Sequence, residues 1–249
     1  MRILLAAVLA FAGAARDDKD DLAAAGKKST ELKSFAFKGE TKMELPAMMG
    51  AMGEQEPTQF SGKHESGVGS YLKTDTHEFF MVGKNTVTRP LAEWKKVEED
   101  GDDPMAMQKN VMKMFSGSRA VQPPSNDLSD LGKKLAKAKK KDKTEKVGDA
   151  ECTIYEGELT EDAAEEIVKD SMPMGKMMKM GGGDVTHTGT LKAWVDGDGR
   201  IVKYEVSGKM TASIQGMELE MGTTKTVTLS GIDKTKVEIP EEAQKALGK

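Results

Sequence analysis

The sequence predicts an α+β domain: an antiparallel sheet with one apolar face, and a few helices to cover it. Three observations carry this. Long runs alternate apolar and polar residues with a period of two, the signature of half-buried strands. The clearest is RIVKYEVSGKMTASI, where Val202, Tyr204, Val206, Met210, Ala212 and Ile214 alternate with Lys203, Glu205, Ser207, Lys209, Thr211 and Ser213. Shorter strand-like runs between residues 59 and 99 are divided by Gly, Asn or Pro, the spacing of an antiparallel meander. Helical spacing is weaker and falls in segments with capping residues at their starts.

The elements follow in order. The chain opens with MRILLAAVLAFAGAA, in which Arg2 supplies a positive start, Ile3 to Phe11 an apolar run, and Ala12 to Ala15 the small residues a signal peptidase needs. A cleaved secretory signal over residues 1–15 is expected, followed by a single domain over 16–249. The apolar run is shorter than the ~20 residues a bilayer span requires. No Cys follows the small residues, so an anchoring lipid is not expected.

Acidic residues Asp17 to Asp21 suit a helix N-terminus, and a helix over Asp20 to Lys33 is predicted. SFAFKGETKMEL then switches to period two, with Phe35, Phe37, Thr41, Met43 and Leu45 on one face and Lys38, Glu40, Lys42 and Glu44 on the other. PAMMGAMGEQEP reads as a turn or loop. QFSGKHES, GSYLKTD, HEFFMVG, NTVTRP and EWKKVEE read as short strands. DDPMAMQKNVMKMFSG is helix-compatible, with Asp102 or Asp103 as cap and Pro104 at the first helical position. SNDLSDLGKKLAKAKKK predicts another helix, striped by Leu128, Leu131 and Leu135, with lysines crowding its C-terminal half. KTEKVGD and ECTIYEGEL predict strands, TEDAAEEIVKD a short helix from Thr160, and SMPMGKMMKMGGG a loop. A hairpin through DGDG, the long strand MELEMGTTKTVTLSG and a short strand KTKVEIP complete the chain before EEAQKALGK.

Composition sharpens this picture. Leu, Ile, Val and Phe supply 45 of 249 residues, just under the roughly 20% below which disorder becomes a concern. That concern also needs high net charge, and 37 basic against 41 acidic residues leave only −4. The missing apolar mass sits in 18 methionines, whose unbranched, polarizable side chains suit adaptable apolar surfaces. A single cysteine, Cys152, excludes an intramolecular disulfide and a Cys-based zinc site; within ECTIY it reads as a buried small hydrophobe.

Two stretches carry a resemblance. THTGTLKAWVDGDGRIVKYEVSG, followed by MELEMGTTKTVTLSG and VEIP, and EFFMVGKNTVTRPLAEWKKVEE ahead of a helix, together resemble the LolA/LolB-like superfamily of lipid and lipoprotein carriers, most closely the LppX/LprG type. The resemblance covers nearly the whole chain after the signal. It implies a strongly curved, half-open antiparallel sheet, an incomplete barrel whose apolar concave face is covered by helices. It also implies a non-enzymatic role in sheltering acyl chains, with no cofactor.

No catalytic triad is visible. His64, His77 and His187 each stand alone in strand-like runs, which points to structural or solvent-facing roles. Asp196 and Asp198 lie in a tight-turn sequence, and the position where a calcium loop needs Gly holds Ile201. Gly181 to Gly183 lack the strand, helix and Lys of a phosphate loop. The lysine run from 133 to 146 is a solvated segment that could touch anionic headgroups. Nucleic acid is not an expected partner for an exported acidic chain with few aromatics.

The predicted acyl-contacting residues are therefore Phe35, Phe37, Met43, Val206, Met210 and Leu219 on strands, and Met107, Val111, Met114, Phe115, Met174, Met177 and Met178 in covering segments. The expected protein is a periplasmic or secreted monomer whose partner is a lipid or lipidated protein, with transient contact to a membrane surface. Two alternatives use the same residues: a Met-rich Cu(I)-binding protein, since thioethers select Cu(I), or an envelope protein that docks partners on its open sheet.

Overall fold

The computed structural model describes residues 17–44, 56–83, 85–89, 95–96, 124–171, 184–214 and 217–248. The expected signal, the helix over 102–117 and the methionine-rich stretches 48–52, 105–114 and 172–180 lie outside them.

The described chain forms helix α1 (Asp18–Thr30), strands β1 (Ser34–Glu44), β2 (Thr58–Glu65), β3 (Gly69–Thr74), β4 (Glu78–Val82), β5 (Asn85–Arg89) and β6 (Lys95–Lys96), and short helices α2 (Pro124–Leu128) and α3 (Leu131–Lys134). Strands β7 (Leu135–Val147) and β8 (Ala150–Leu159), helix α4 (Glu161–Ser171), strands β9 (Asp184–Val195), β10 (Ile201–Ile214) and β11 (Met217–Ser230), and helix α5 (Glu241–Ala246) follow. All eleven strands lie in one sheet of order β6-β5-β4-β3-β2-β1-β11-β10-β9-β8-β7. Two meanders, β1 to β6 and β7 to β11, join where β1 pairs antiparallel with β11, from Ala36–Ser230 to Glu44–Gly222. The ends of the order do not pair with each other, so the sheet is open, as expected for an α+β half-open architecture.

The period-two pattern sets one face. Phe35, Phe37, Phe60, Leu72, Phe79, Tyr155, Leu191, Ala193, Tyr204, Val206, Val227 and Leu229 form a single buried cluster with Leu22, Leu128, Leu131 and Leu135 of the helical segments and the first residue of β7. This is the covered face. On it, Phe37 stands directly opposite Gly62, and Phe60 opposite Gly39. Each ring lies so close to its glycine that an added Cβ would meet ring carbons within 2.6 Å, an aromatic ring filling the space a side chain would take. The expected facing of β1 holds: Thr41 is buried and Met43 half-buried, while Lys38, Glu40, Lys42 and Glu44 are exposed.

Helix α1 starts where its acidic cluster predicts. Asp17 Oδ1 accepts from Lys19 N, and Asp18, Asp20 and Asp21 occupy the first turn, complementing the helix dipole. Its last turn docks on the β9–β10 turn: Ser29 Oγ accepts from Ile201 N at 2.8 Å, and Lys28 Nζ donates to Asp198 O at 2.9 Å. That turn is DGDGR, and Asp196 builds it. Its Oδ1 accepts from the backbone of Asp198 and Arg200, and its Oδ2 from the Arg200 guanidinium. Both carboxylate oxygens are thus engaged in holding a tight turn.

Three local expectations are corrected. The lysine-rich stretch 135–141 is not helix but the first half of the edge strand β7, which runs on into the strand expected at KTEKVGD and pairs with β8. Leu128, Leu131 and Leu135 are all buried, but from two helical fragments and a strand. Charged residues on an exposed edge discourage pairing with another chain, and Lys137 and Lys141 pair with Glu158 and Glu156 of β8. Second, KTKVEIP pairs with no strand; Val237 and Ile239 instead pack against Phe80 and Val87 on the outer face, beside α5. Third, a bulge between Ile201 and Lys203 moves Val202 off the Tyr204 face. Val202 joins Cys152, Ile154 and Trp194 on the outer face, so that face is also apolar in places.

His64 gives a test of the covered face. Its ring lies 5.1 Å from Phe35 and its Nδ1 is 2.8 Å from Ser70 Oγ. Burial lowers its pKa below 6.5. Because the unfolded chain takes up this proton more readily, the fold keeps the full contribution above pH 6.5 and loses it progressively below. Melting temperature is expected to fall between pH 7 and pH 5, and less steeply in His64→Gln. Equal slopes would show that His64 does not set the acid limb.

Candidate functional site

Within the apolar covered face sits a polar cluster beside a cleft. Asp127 of α2 accepts through Oδ2 from Lys225 Nζ of β11 at 2.6 Å, and from the phenol of Tyr204 on β10. Tyr204 is fully buried. Desolvation, then the negative charge of Asp127, pushes its phenol well above the ordinary tyrosine range, so it stays a donor. Lys225 is 8% exposed and its ammonium lies 5.7 Å from the Phe60 ring centre. One carboxylate oxygen therefore ties a five-residue helix to two central strands through charge-assisted hydrogen bonds.

Two more polar groups adjoin Lys225. Thr41 stands opposite it across the β1–β11 pairing, and Thr223 lies two residues earlier on the same face of β11. Both side chains are buried, at 4% and 2% exposure, and neither hydroxyl has a hydrogen-bond partner among the described residues.

Beside this cluster opens a cleft of about 360 Å³ between the α2–α3 segment and α4. Its floor is Leu159, Leu191 and Val206; Asp127, Ser129, Asp130, Leu131 and Lys134 form one wall, and Ala163, Glu166 and Ile167 the other. The size falls in the range of small-molecule sites, and an apolar floor with a few polar rim groups is their usual lining. Helix α4 reaches the sheet because Gly189 and Gly208 stand opposite each other beneath it. A Cβ on Gly208 would meet Ile167 and Val168 at 3.0 Å, and one on Gly189 would meet Ala164 at 3.1 Å.

The sequence-predicted contact residues on strands are spread along the face. Val206 floors the cleft. Phe35 and Phe37 lie farther along the same face, and Met210 is buried beyond the cleft with Met221, Val168 and part of Met43. Leu219 is half-buried, opposite Ala212. Met107, Val111, Met114, Phe115, Met174, Met177 and Met178 lie outside the described residues. Asp127, Tyr204, Lys225, Thr41 and Thr223 were not predicted as site residues. The readable signal was parity: on β11, Leu219, Met221, Val227 and Leu229 share the inward alternation with Lys225, and a charged residue there needs a partner.

A larger groove of about 640 Å³ lies on the other side of the sheet, lined by Lys63, Tyr71, Glu78, Arg89, Lys236 and Glu238. Within it Glu78 pairs with Arg89, and Lys236 pairs with Glu65. Cys152 is buried, and desolvation raises its thiol pKa, leaving it a poor nucleophile. Among the described residues no group of three or more His, Cys, Asp or Glu could hold a metal ion, and no helix is long and apolar enough to cross a membrane.

No protein-family model matches the sequence, and no curated protein matches it. Among solved structures, the chain is similar to a DUF1329 family protein from Desulfovibrio piger, at 10% identity and a TM-score of 0.33, over 93% of this chain and 100% of that one. It is also similar to a LolA superfamily protein from Nitrosomonas europaea, at 8% identity and a TM-score of 0.32, over 92% of this chain and 97% of that one.

Proposed function

We propose that this protein is an exported, non-enzymatic carrier that shelters the acyl chains of a lipid or lipidated protein in the cleft between α2–α3 and α4. The observation that carries the reading is the cleft itself: an apolar floor on a sheet face that short helices cover without filling. The N-terminal signal pattern and the likeness of the sequence patterns to LolA/LolB-like carriers support it. The methionine-rich stretches flank both walls along the chain, one ending nine residues before α2 and the other beginning directly after α4. Their adaptable side chains would complete the cover and accept chains of different shape.

Transfer of acyl chains from water supplies the affinity, at ~0.8 kcal/mol per buried CH₂. Affinity for a series of fatty acids is therefore expected to rise by up to about fourfold per added CH₂, until the cleft is full. Val206→Trp fills the floor and is expected to weaken binding at least tenfold while the fold persists by circular dichroism. Purification with organic extraction and lipid mass spectrometry gives the native cargo. A protein that carries no lipid and takes up no fatty acid of any length is not an acyl carrier.

A further inference from the structure

We propose that Lys225, with the hydroxyls of Thr41 and Thr223, forms a binding site for the anionic headgroup of a single-chain amphiphile, and that the headgroup takes the place of Asp127 on Lys225. The proposal rests on the carrier reading above and names its ligand class.

The cluster holds more donors than acceptors. Lys225 and Tyr204 both donate to a single oxygen, Asp127 Oδ2. The buried hydroxyls of Thr41 and Thr223 go unpaired among the described residues. Register places Thr41 directly across from Lys225, a separation of roughly 5 Å between Cβ atoms. Thr223 stands roughly 7 Å from Lys225 along the same face. A carboxylate or phosphate brings two or three acceptor oxygens and can satisfy all of these groups, which Asp127 does not do.

Charge balance favours an exchange over simple addition. Lys225 is the only buried lysine among the described residues. Losing its carboxylate would be costly; replacing it by another anion keeps the buried charge compensated. Asp127 lies on a five-residue helix with its side chain 22% exposed, so it has solvent to turn toward. Asp127 also lines the cleft, which puts the headgroup site at the end of the apolar floor. Ligand entry and release of α2 from the sheet then become one event.

The test compares dodecanoate, dodecyl phosphate and neutral dodecanol on the delipidated full-length mature chain by calorimetry at neutral pH. Both anions are expected to bind at least tenfold tighter than dodecanol. In Lys225→Met the anions should fall to the dodecanol level while dodecanol is unchanged. The double variant Lys225→Met/Asp127→Asn, which removes both charges together, guards against misfolding and should behave alike. Thr41→Val/Thr223→Val should cut the anion preference severalfold, and Asp127→Asn should raise it. Equal binding of all three amphiphiles, or an anion preference that survives both Lys225 variants, overturns the headgroup site but leaves the carrier. Inorganic phosphate that competes as well as dodecyl phosphate shows a free-anion site and overturns the proposal. Binding of none of the three overturns both readings.

Discussion

Asp127→Ala is expected to lower the stability of the protein by about 3 kcal/mol. The change removes the acceptor of both Tyr204 and Lys225, and strips Lys225 of its carboxylate on a face where Val206, Val227 and Phe60 are apolar and Thr41 and Thr223 carry no charge. An exposed ion pair would be worth under about 1 kcal/mol, but the two side chains are only 10% and 22% exposed, which puts the pair nearer the buried regime. Asp127→Asn keeps an acceptor and loses the charge, so a smaller loss of about 1–2 kcal/mol is expected. Lys225→Met in the Asp127→Ala background should recover part of the loss, since no buried ammonium then remains. Denaturant midpoints of the unsubstituted protein, Asp127→Ala, Lys225→Met and the double variant close the cycle that isolates the coupling. Hydrogen exchange over residues 124–134 should rise in Asp127→Ala more than in β9 or β10, because α2 loses its tie while the strands keep theirs. A loss below about 0.5 kcal/mol with unchanged exchange would mean that Leu128 and Leu131 hold this segment without the polar cluster.

Much of the fold was legible because burial imposes a period. On β1, β10 and β11 most inward positions are apolar and most outward ones polar or charged, so the strands and their facing could be read directly. The capping chemistry of α1 and α4 was equally local: Thr160 Oγ1 accepts from Ala163 N, as an N-cap should. The failures came where a partner overrides local preference. LAKAKKK is rich in helix formers and has no clean alternation, yet pairing with β8 makes it the first half of a strand, with Leu135 and Ala138 packed inward. KTKVEIP alternates like a strand but pairs with none of the described strands; the Glu65 carboxylate accepts from Val237 N instead. The Tyr204–Asp127 pair joins residues 77 apart and the Lys225–Asp127 pair residues 98 apart, so no local motif announces either one. Only the inward parity of Lys225 was there to be noticed.

Gly208→Val is expected to cost about 3 kcal/mol and to impair acyl binding together with stability. Gly208 and Gly189 form a bare patch two strands wide, and Ala164 of α4 settles on it with no exposed surface. At Gly208 a Cβ alone would stand 3.0 Å from Ile167 and Val168 methyls and 3.3 Å from the Ala164 carbonyl. Valine adds two further methyls, so either those side chains leave their rotamers or the whole helix lifts. Lifting matters for function because α4 is one wall of the cleft, through Ala163, Glu166 and Ile167. It also uncovers Val168, Met210 and Met221, which form a buried cluster beneath its C-terminal half. Gly208→Ala should fall between glycine and valine, and Val168→Ala in that background should restore part of the loss by removing a clashing methyl. If the defect were merely strand flexibility, Val168→Ala would make the variant worse, since it deletes buried apolar surface. Rescue by a smaller side chain on α4 therefore separates helix clearance from strand propensity, and the same variants report whether the cleft's width follows the helix.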